Sequence, residues 1–240
     1  MLTYKIITNC GSRQINEDYA GMAKDETHYC FFLADGLGGH GKGEVASQLV
    51  VETGKSLFTQ YKEPDFLEQC FQAAQDNLLL EQKNQNLQSE MKTTMVVLEI
   101  RDNMVQWGHI GDSRLYLFQK GKLVKRTLDH SVPQMLVMAG EIKEKQIRGH
   151  EDRNRLLRVM GTEWSSPQYV LSEKISLLAQ QAFLLCTDGF WELIEERTMQ
   201  QLLKKSHTVD EWLERMEEEV RINGVEKNMD NYTAIAIWNV

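Results

Sequence analysis

Residues 31–43, Phe-Phe-Leu-Ala-Asp-Gly-Leu-Gly-Gly-His-Gly-Lys-Gly, constrain this chain more than any other stretch. A short apolar run, 29–34, has the length of a buried strand and ends on Asp35 just where glycines begin to turn the backbone. Gly36, Gly38, Gly39 and Gly41 let the main chain approach a ligand closely. From 44 to 61 a helical pattern resumes, with Val45, Leu49, Val50 and Leu57 on one side. The same device returns later: the apolar run 183–187 delivers Asp188-Gly189 as the first delivers Asp35-Gly36. A fold that buries two strands and ends both on a carboxylate is placing charge at a site.

Two chemistries could use a strand, glycine loop and helix. Gly36 to Lys42 fits the spacing G-x-x-x-x-G-K of a phosphate-cradling loop, but the hydroxyl residue that must follow is replaced by Gly43. The other is metal binding by Asp35 with the Gly36 carbonyl as a hard oxygen ligand. One carboxylate does not hold a hydrated divalent ion alone, so further acids are expected elsewhere.

Composition narrows the field. The chain of 240 residues has three prolines and no Ser/Gly tract, which predicts one domain over 1–240 without a linker. No apolar run reaches bilayer length, and no charged-then-apolar leader opens the sequence, so neither a membrane span nor secretion is expected. Cys10, Cys30, Cys70 and Cys186 form no C-x-x-C pair and read as reduced residues of a cytoplasmic protein. The net charge of −8 argues against a nucleic-acid partner.

Taken in order, 1–8 reads as a strand ending in a turn-rich stretch where Arg13 precedes Glu17 and Asp18; this is either a solvated turn or an arginine for phosphate and acids for metal-bound waters. Helices follow from 44 to about 89, broken near Pro64, which is expected in the first turn of the second helix. The polar stretch 82–88 reads as a frayed end without function. Two hairpins follow, 93–100 with 104–110 and 114–118 with 122–125, and Asp112 lies in the turn between them. His109 reads as a packing or hydrogen-bonding histidine. Asp129 or Ser131 could cap a helix over 132–140. The segment 141–166, with Arg148, Arg153, Arg155 and Arg158, is polar and weakly periodic, a candidate mobile lobe over a site. Helices at 190–194, 198–205 and 209–223 lead to Asp230-Asn231 and a final strand, 232–240.

Several short motifs occur in one order: Gly11-Ser12-Arg13 with Asn16-Glu17-Asp18, Ala34-Asp35-Gly36 with the glycine loop, Thr93-Thr94, Gly111-Asp112-Ser113-Arg114, Asp129-His130-Ser131, Thr187-Asp188-Gly189 and Asp230-Asn231-Tyr232-Thr233. In this series the chain resembles the metal-dependent serine/threonine protein phosphatases of the PP2C (PPM) family in their compact bacterial form. The resemblance implies an α+β fold, a four-layer α-β-β-α sandwich of two antiparallel sheets flanked by helix pairs, with 141–166 as its flap. It implies Mn²⁺ or Mg²⁺, two ions bridged by Asp35, with the Gly36 carbonyl and water-mediated contacts from Glu17 and Asp18 at one site and Asp188 and Asp230 at the other. Asp112, with Asp188, is implied at a weaker third ion. A shared activated water would attack phosphorus, Arg13 would hold the phosphate oxygens, and His40 is the candidate proton donor, because Leu37 stands where larger family members place histidine after Asp-Gly. The implied partners are a phosphorylated protein substrate and a cognate Ser/Thr kinase, for a monomer. The alternative is a catalytically weak phosphoprotein-binding module of the same fold.

Overall fold

In the computed structural model of the protein, which describes residues 2–37, 41–60, 63–87 and 90–239, alternation of side chains sorts the strands into two sheets. The chain begins with β1 (Leu2–Asn9), β2 (Asp18–Lys24) and β3 (His28–Asp35), then α1 (Gly43–Gln60) and α2 (Phe66–Gln85). Next come β4 (Met95–Arg101), β5 (Met104–Ile110), β6 (Arg114–Gln119), β7 (Lys122–Arg126) and α3 (Val132–Met138). A 3-10 turn, Glu144–Gly149, precedes the short strands β8 (Val170–Leu171) and β9 (Ile175–Ser176). The chain closes with β10 (Gln181–Cys186), α4 (Asp188–Trp191), α5 (Glu196–Lys205), α6 (Val209–Gly224) and β11 (Tyr232–Asn239).

One sheet runs β1-β11-β10-β6-β7, and the other runs β2-β3-β4-β5-β8, with β9 also on β5. Every named strand pairing is antiparallel. In β4, Val96, Leu98 and Ile100 face the opposite sheet, where they meet Phe183 and Leu185 of β10 and Ile235 and Ile237 of β11. Met95 and Val97 face the other way, into the packing of α1 and α2 with Phe32, Phe58 and Phe71. On the far side Ala182, Leu184 and Cys186 meet Trp212, Leu213 and Met216 of α6. Three apolar layers therefore separate four layers of backbone, and each large side chain fully buried in them contributes about 1.5–3 kcal/mol. The α-β-β-α sandwich expected from the family resemblance is the one found. The hairpin turns also fit: Asp102 and Asn103 take φ of 51° and 62°, the left-handed pair that matches strand twist.

The structure corrects several local expectations. Strand β2 has no counterpart in the sequence reading, since its Ala20, Gly21 and Ala23 are small; a Cβ on Gly21 would lie 2.9 Å from Lys55 Cδ of α1. Pro64 precedes the N-cap Asp65 and so stands outside the first turn of α2. Thr93 belongs to an isolated bridge, and β4 starts at Met95. Ser131, not Asp129, caps α3, accepting from the Gln134 amide. Within the stretch 82–88, expected as a frayed end, the described residues are held in place: Asn86 closes α2 in the left-handed conformation, and the buried Gln82 donates to Met91 O at 2.7 Å and Gly161 O at 2.8 Å. His109 is a packing histidine as expected, its Nε2 2.8 Å from Leu128 O and its ring stacked on His130 at 4.7 Å. All four cysteines are free, with Cys10 exposed.

Candidate functional site

Antiparallel pairing brings alternate strand ends to the same edge, and at one edge of the sandwich those ends are acidic. Asp18 opens β2 and Asp35 closes β3, and the two are direct partners across the ladder. Asp112 sits in the connection from β5 to β6, Asp188 follows β10 by two residues, and Asp230 precedes β11 by two. Both sheets thus contribute carboxylates to one cleft of 680 Å³, lined among others by Arg13, Glu17, Asp35, Gly36, Asp112, Asp188 and Asp230.

The backbone that carries these acids is fixed by hydroxyls and close contacts. Thr94 Oγ1 accepts the Asp35 amide at 3.0 Å, and Thr93 Oγ1 donates to Asp35 O at 2.8 Å. Thr94 also shares a 2.7 Å hydrogen bond with Ser113, beside Asp112. A Cβ on Gly36 would fall 2.2 Å from Gly43 O, so only glycine lets the loop return onto the start of α1. Asn231 pins the arginine loop: its Oδ1 accepts the Glu17 amide at 2.8 Å, and its Nδ2 donates to Cys10 O and Ile15 O at 2.9 Å each. Trp191 Nε1 donates to Asp112 O at 3.0 Å. Beneath that indole lies the buried guanidinium of Arg114, 3.4 Å from the ring centroid and doubly bonded to Asp129 at 2.8 and 2.6 Å.

Crowded carboxylates resist ionisation. Burial, then Asp188 and Asp18, push Asp35 well above the usual carboxylate range. Asp112 is raised likewise by burial and Asp188. Burial pushes Asp18 up to about 7 even though Thr187 Oγ1 donates to its Oδ2 at 2.9 Å, and its Oδ1 is buried without a partner. Asp188 is pushed up to about 6 by burial and Asp230, against a hydrogen bond with the Asp35 carboxyl. Among the described residues Arg13, in its ion pair with Asp230, is the one cation set directly against the five acids, a shortfall that a bound cation relieves. Among the described residues the donors are carboxylate and carbonyl oxygens, without sulfur or imidazole, a set that suits Mg²⁺ or Mn²⁺. Among the described residues no three His, Cys, Asp or Glu side chains gather closely enough to wrap one ion.

The expected residues fall as follows. Asp18, Asp35, Gly36, Asp112, Asp188 and Asp230 come together, and Glu17 lies at the rim with its pKa raised by burial and then Glu44. Arg13 reaches the same cleft, where its Nη2 lies 2.8 Å from Asp230 Oδ2 with both side chains nearly half exposed. His40 lies outside the described residues. The four flap arginines divide. Arg148 is spent on Trp191 O, Ile194 O and Glu196, and Arg153 on Glu192, so these two tie the segment down onto α4. Arg155 and Arg158 have no ion pair among the described residues. Sequence reasoning missed Lys92, which lines the cleft beside Leu37, and the pinning role of Asn231. Asn231 stood within a recognised motif, but its partners lie more than 200 residues away; Lys92 offered no signal beyond its position before Thr93.

The family model described as Protein phosphatase 2C matches residues 9–232. The serine/threonine phosphatase stp of Listeria monocytogenes is 30% identical over 207 residues, which cover 83% of this chain and 81% of that protein. The crystal structure of serine/threonine phosphatase Stp1 from Staphylococcus aureus superposes with a TM-score of 0.88 at 27% identity, covering 100% of this chain and 96% of that one. The catalytic domain of the phosphatase PstP, solved in complex with two manganese ions, gives a TM-score of 0.81 at 27% identity, covering 98% and 97%.

Proposed function

We propose, from the premise that the chain belongs to the protein phosphatase 2C family, that its acidic cleft hydrolyses phosphoserine and phosphothreonine esters of proteins in a metal-dependent reaction. The observation that carries this reading is the convergence of Asp18, Asp35, Asp112, Asp188 and Asp230 from both sheets, mutually repelling and short of positive charge, beside an accessible arginine.

The solved relative with two manganese ions supports Mn²⁺ or Mg²⁺ here. Asp35, the Gly36 carbonyl, Glu17, Asp18, Asp188 and Asp230 would hold two such ions, and Asp112 with Asp188 would hold a third. When bound, the ions would supply Lewis-acid charge and an acidified water. The residues do the rest. Arg13 binds the phosphate oxygens; its link to Asp230 is half exposed and worth at most about 1 kcal/mol, so the guanidinium exchanges it readily for a phosphate. Thr93, Thr94 and Asn231 hold the Asp35 backbone and the arginine loop in register with each other. His40 is assigned the proton delivered to the departing serine or threonine oxygen, a transfer worth about 10²–10⁴-fold.

The reading takes 1–240 as one catalytic unit with 141–166 as its flap. It includes a monomer opposing a Ser/Thr kinase in the cytoplasm, a compartment in which free cysteines are the rule. No helix among the described residues is long and apolar enough to cross a membrane. The alternative of a catalytically weak binding module is disfavoured because every acid of the cluster is in place.

The test is hydrolysis of p-nitrophenyl phosphate and a phosphothreonine peptide with EDTA, Mg²⁺ or Mn²⁺, by wild type, Asp35→Asn and Asp188→Asn. Activity that needs the metal and drops at least about 10²-fold in both variants is expected. Wild-type protein that binds Mn²⁺ yet turns over neither substrate would leave the binding module as the function.

A further inference from the structure

Beside the catalytic cleft a second cavity of 740 Å³ opens at the lateral edge of the sandwich, between β7 of one sheet and β8 of the other, under α3. The two adjoin across Leu157, which lines both. Its surface is unusually apolar. Of thirteen exposed large apolar side chains among the described residues, five line it: Leu128, Met135, Met138, Leu157 and Val170, between 43% and 73% exposed. The floor is Trp107 and the stacked rings of His109 and His130.

The charges at its rim lean positive, with Lys125, Arg126 and Arg158 against Asp129 and Glu173. Arg126 is consumed by Glu144 and Asp129, and Asp129 by Arg114. Arg158 in the groove and Arg155 at the neighbouring cleft are without an ion-pair partner among the described residues, in a chain whose net charge is −8. Unpaired cations next to an apolar trough complement a segment that carries an apolar side chain and an acid.

We propose that this groove docks the part of the phosphoprotein substrate adjoining the phosphoresidue, seating one aliphatic or aromatic side chain among Leu128, Met135 and Met138 and pairing an acidic side chain with Arg158. This rests on the phosphatase reading and adds to it the sequence class of the substrate. A substrate whose phosphoresidue enters the acidic cleft passes over Leu157 and meets the trough within a few residues. Met135 and Met138 suit such a role, since unbranched thioethers adapt to differing side chains. Arg148 and Arg153 take no part, being turned inward onto α4 and its neighbours.

The test compares phosphothreonine peptides bearing Leu and Asp on one flank, the other flank, or neither (Ser and Lys instead), with p-nitrophenyl phosphate as the small substrate and Mn²⁺ present. Wild type, Met138→Ser and Arg158→Glu are assayed; Met138 is 73% exposed, so its change leaves the core intact. The readout is the peptide kcat/KM divided by that for p-nitrophenyl phosphate. A Leu/Asp peptide favoured about 10-fold or more by wild type, with the preference lost in each variant, is the expected result. Normal p-nitrophenyl phosphate turnover with equal rates for all peptides, or a preference that both variants retain, overturns the groove while leaving the phosphatase standing. No turnover of any substrate overturns both. A variant that changes only the sedimentation mass shows the trough to be a contact between copies of this chain, and also overturns the proposal.

Discussion

The buried pair Arg114–Asp129 gives a prediction whose size follows from its surroundings. Arg114 is 2% exposed and makes two bonds to Asp129, at 2.8 and 2.6 Å, one to Tyr116 Oη at 3.0 Å, and a contact with the face of Trp191 at 3.4 Å. Asp129→Ala removes the only carboxylate that hydrogen-bonds the guanidinium among the described residues and leaves the cation where water does not reach. Breaking such a pair costs about 3–5 kcal/mol. Glu196, 3.7 Å from Nη1, and the indole face retain part of the charge compensation, on the order of 1 kcal/mol, so a loss near 3 kcal/mol is expected. For a chain of this length that is a fall in Tm of roughly 6–12 °C. Urea unfolding and calorimetry read it directly. The double variant Arg114→Met/Asp129→Leu, which removes both charges and keeps volume, should regain most of the loss. Because Trp191 carries the guanidinium on its face and Asp112 O on its N–H, the single variant should also weaken Mn²⁺ binding. The reasoning fails if Asp129→Ala costs under about 1 kcal/mol, or if the double variant is no better than the single.

Three further outcomes are expected. Asp18 and Asp188 ionise near 3.8 when unfolded but only near 7 and 6 in the folded, metal-free protein, so between those values the native state holds more protons; stability in EDTA is therefore greatest toward acid pH and is lost as pH rises through 6 to 7, and a Tm that instead climbs from pH 5 to 8 contradicts it. Saturating Mn²⁺ should flatten that slope, because it favours the ionised cluster. Gln82→Ala leaves two buried carbonyls, Met91 O and Gly161 O, without their donor, at about 2 kcal/mol; hydrogen exchange should quicken around 159–162, and unchanged protection there refutes the latch. Gly36→Ala forces a methyl against Gly43 O and should abolish calorimetric Mn²⁺ binding; an alanine variant that binds the ion normally removes the close-approach argument.

What the sequence disclosed, and what it hid, divides along the range of the interactions. Asp35 and Asp188 were legible because strand, acid and glycine are adjacent in the chain. Asp112 was legible only as one motif in a series, since an acid in a turn between hairpins is ordinary. Strand β2 was hidden because Ala20, Gly21 and Ala23 are small for reasons found on α1, whose Lys55 and Val51 pass over them. Gln82 looked like solvent-facing polarity, since the carbonyls it serves lie 9 and 79 residues onward. The flap arginines looked equivalent as a composition, and only their partners on α4 and α5 separate Arg148 and Arg153 from Arg155 and Arg158.

The pairing of β1 with β11, from Leu2 with Asn239 to Asn9 with Tyr232, bears on how the protein is made. The strand that follows every other element lies between β1 and β10, in the middle of its sheet rather than at an edge. Until it is inserted, β1 has no partner in that sheet, Asp230 is absent from the cleft, and Asn231 cannot fasten the loop that bears Arg13. A chain in which β11 is unpaired therefore brings together four of the five acids yet no assembled centre. The strand that completes the sheet is thus also the one that completes the acidic cleft, so core and centre close together.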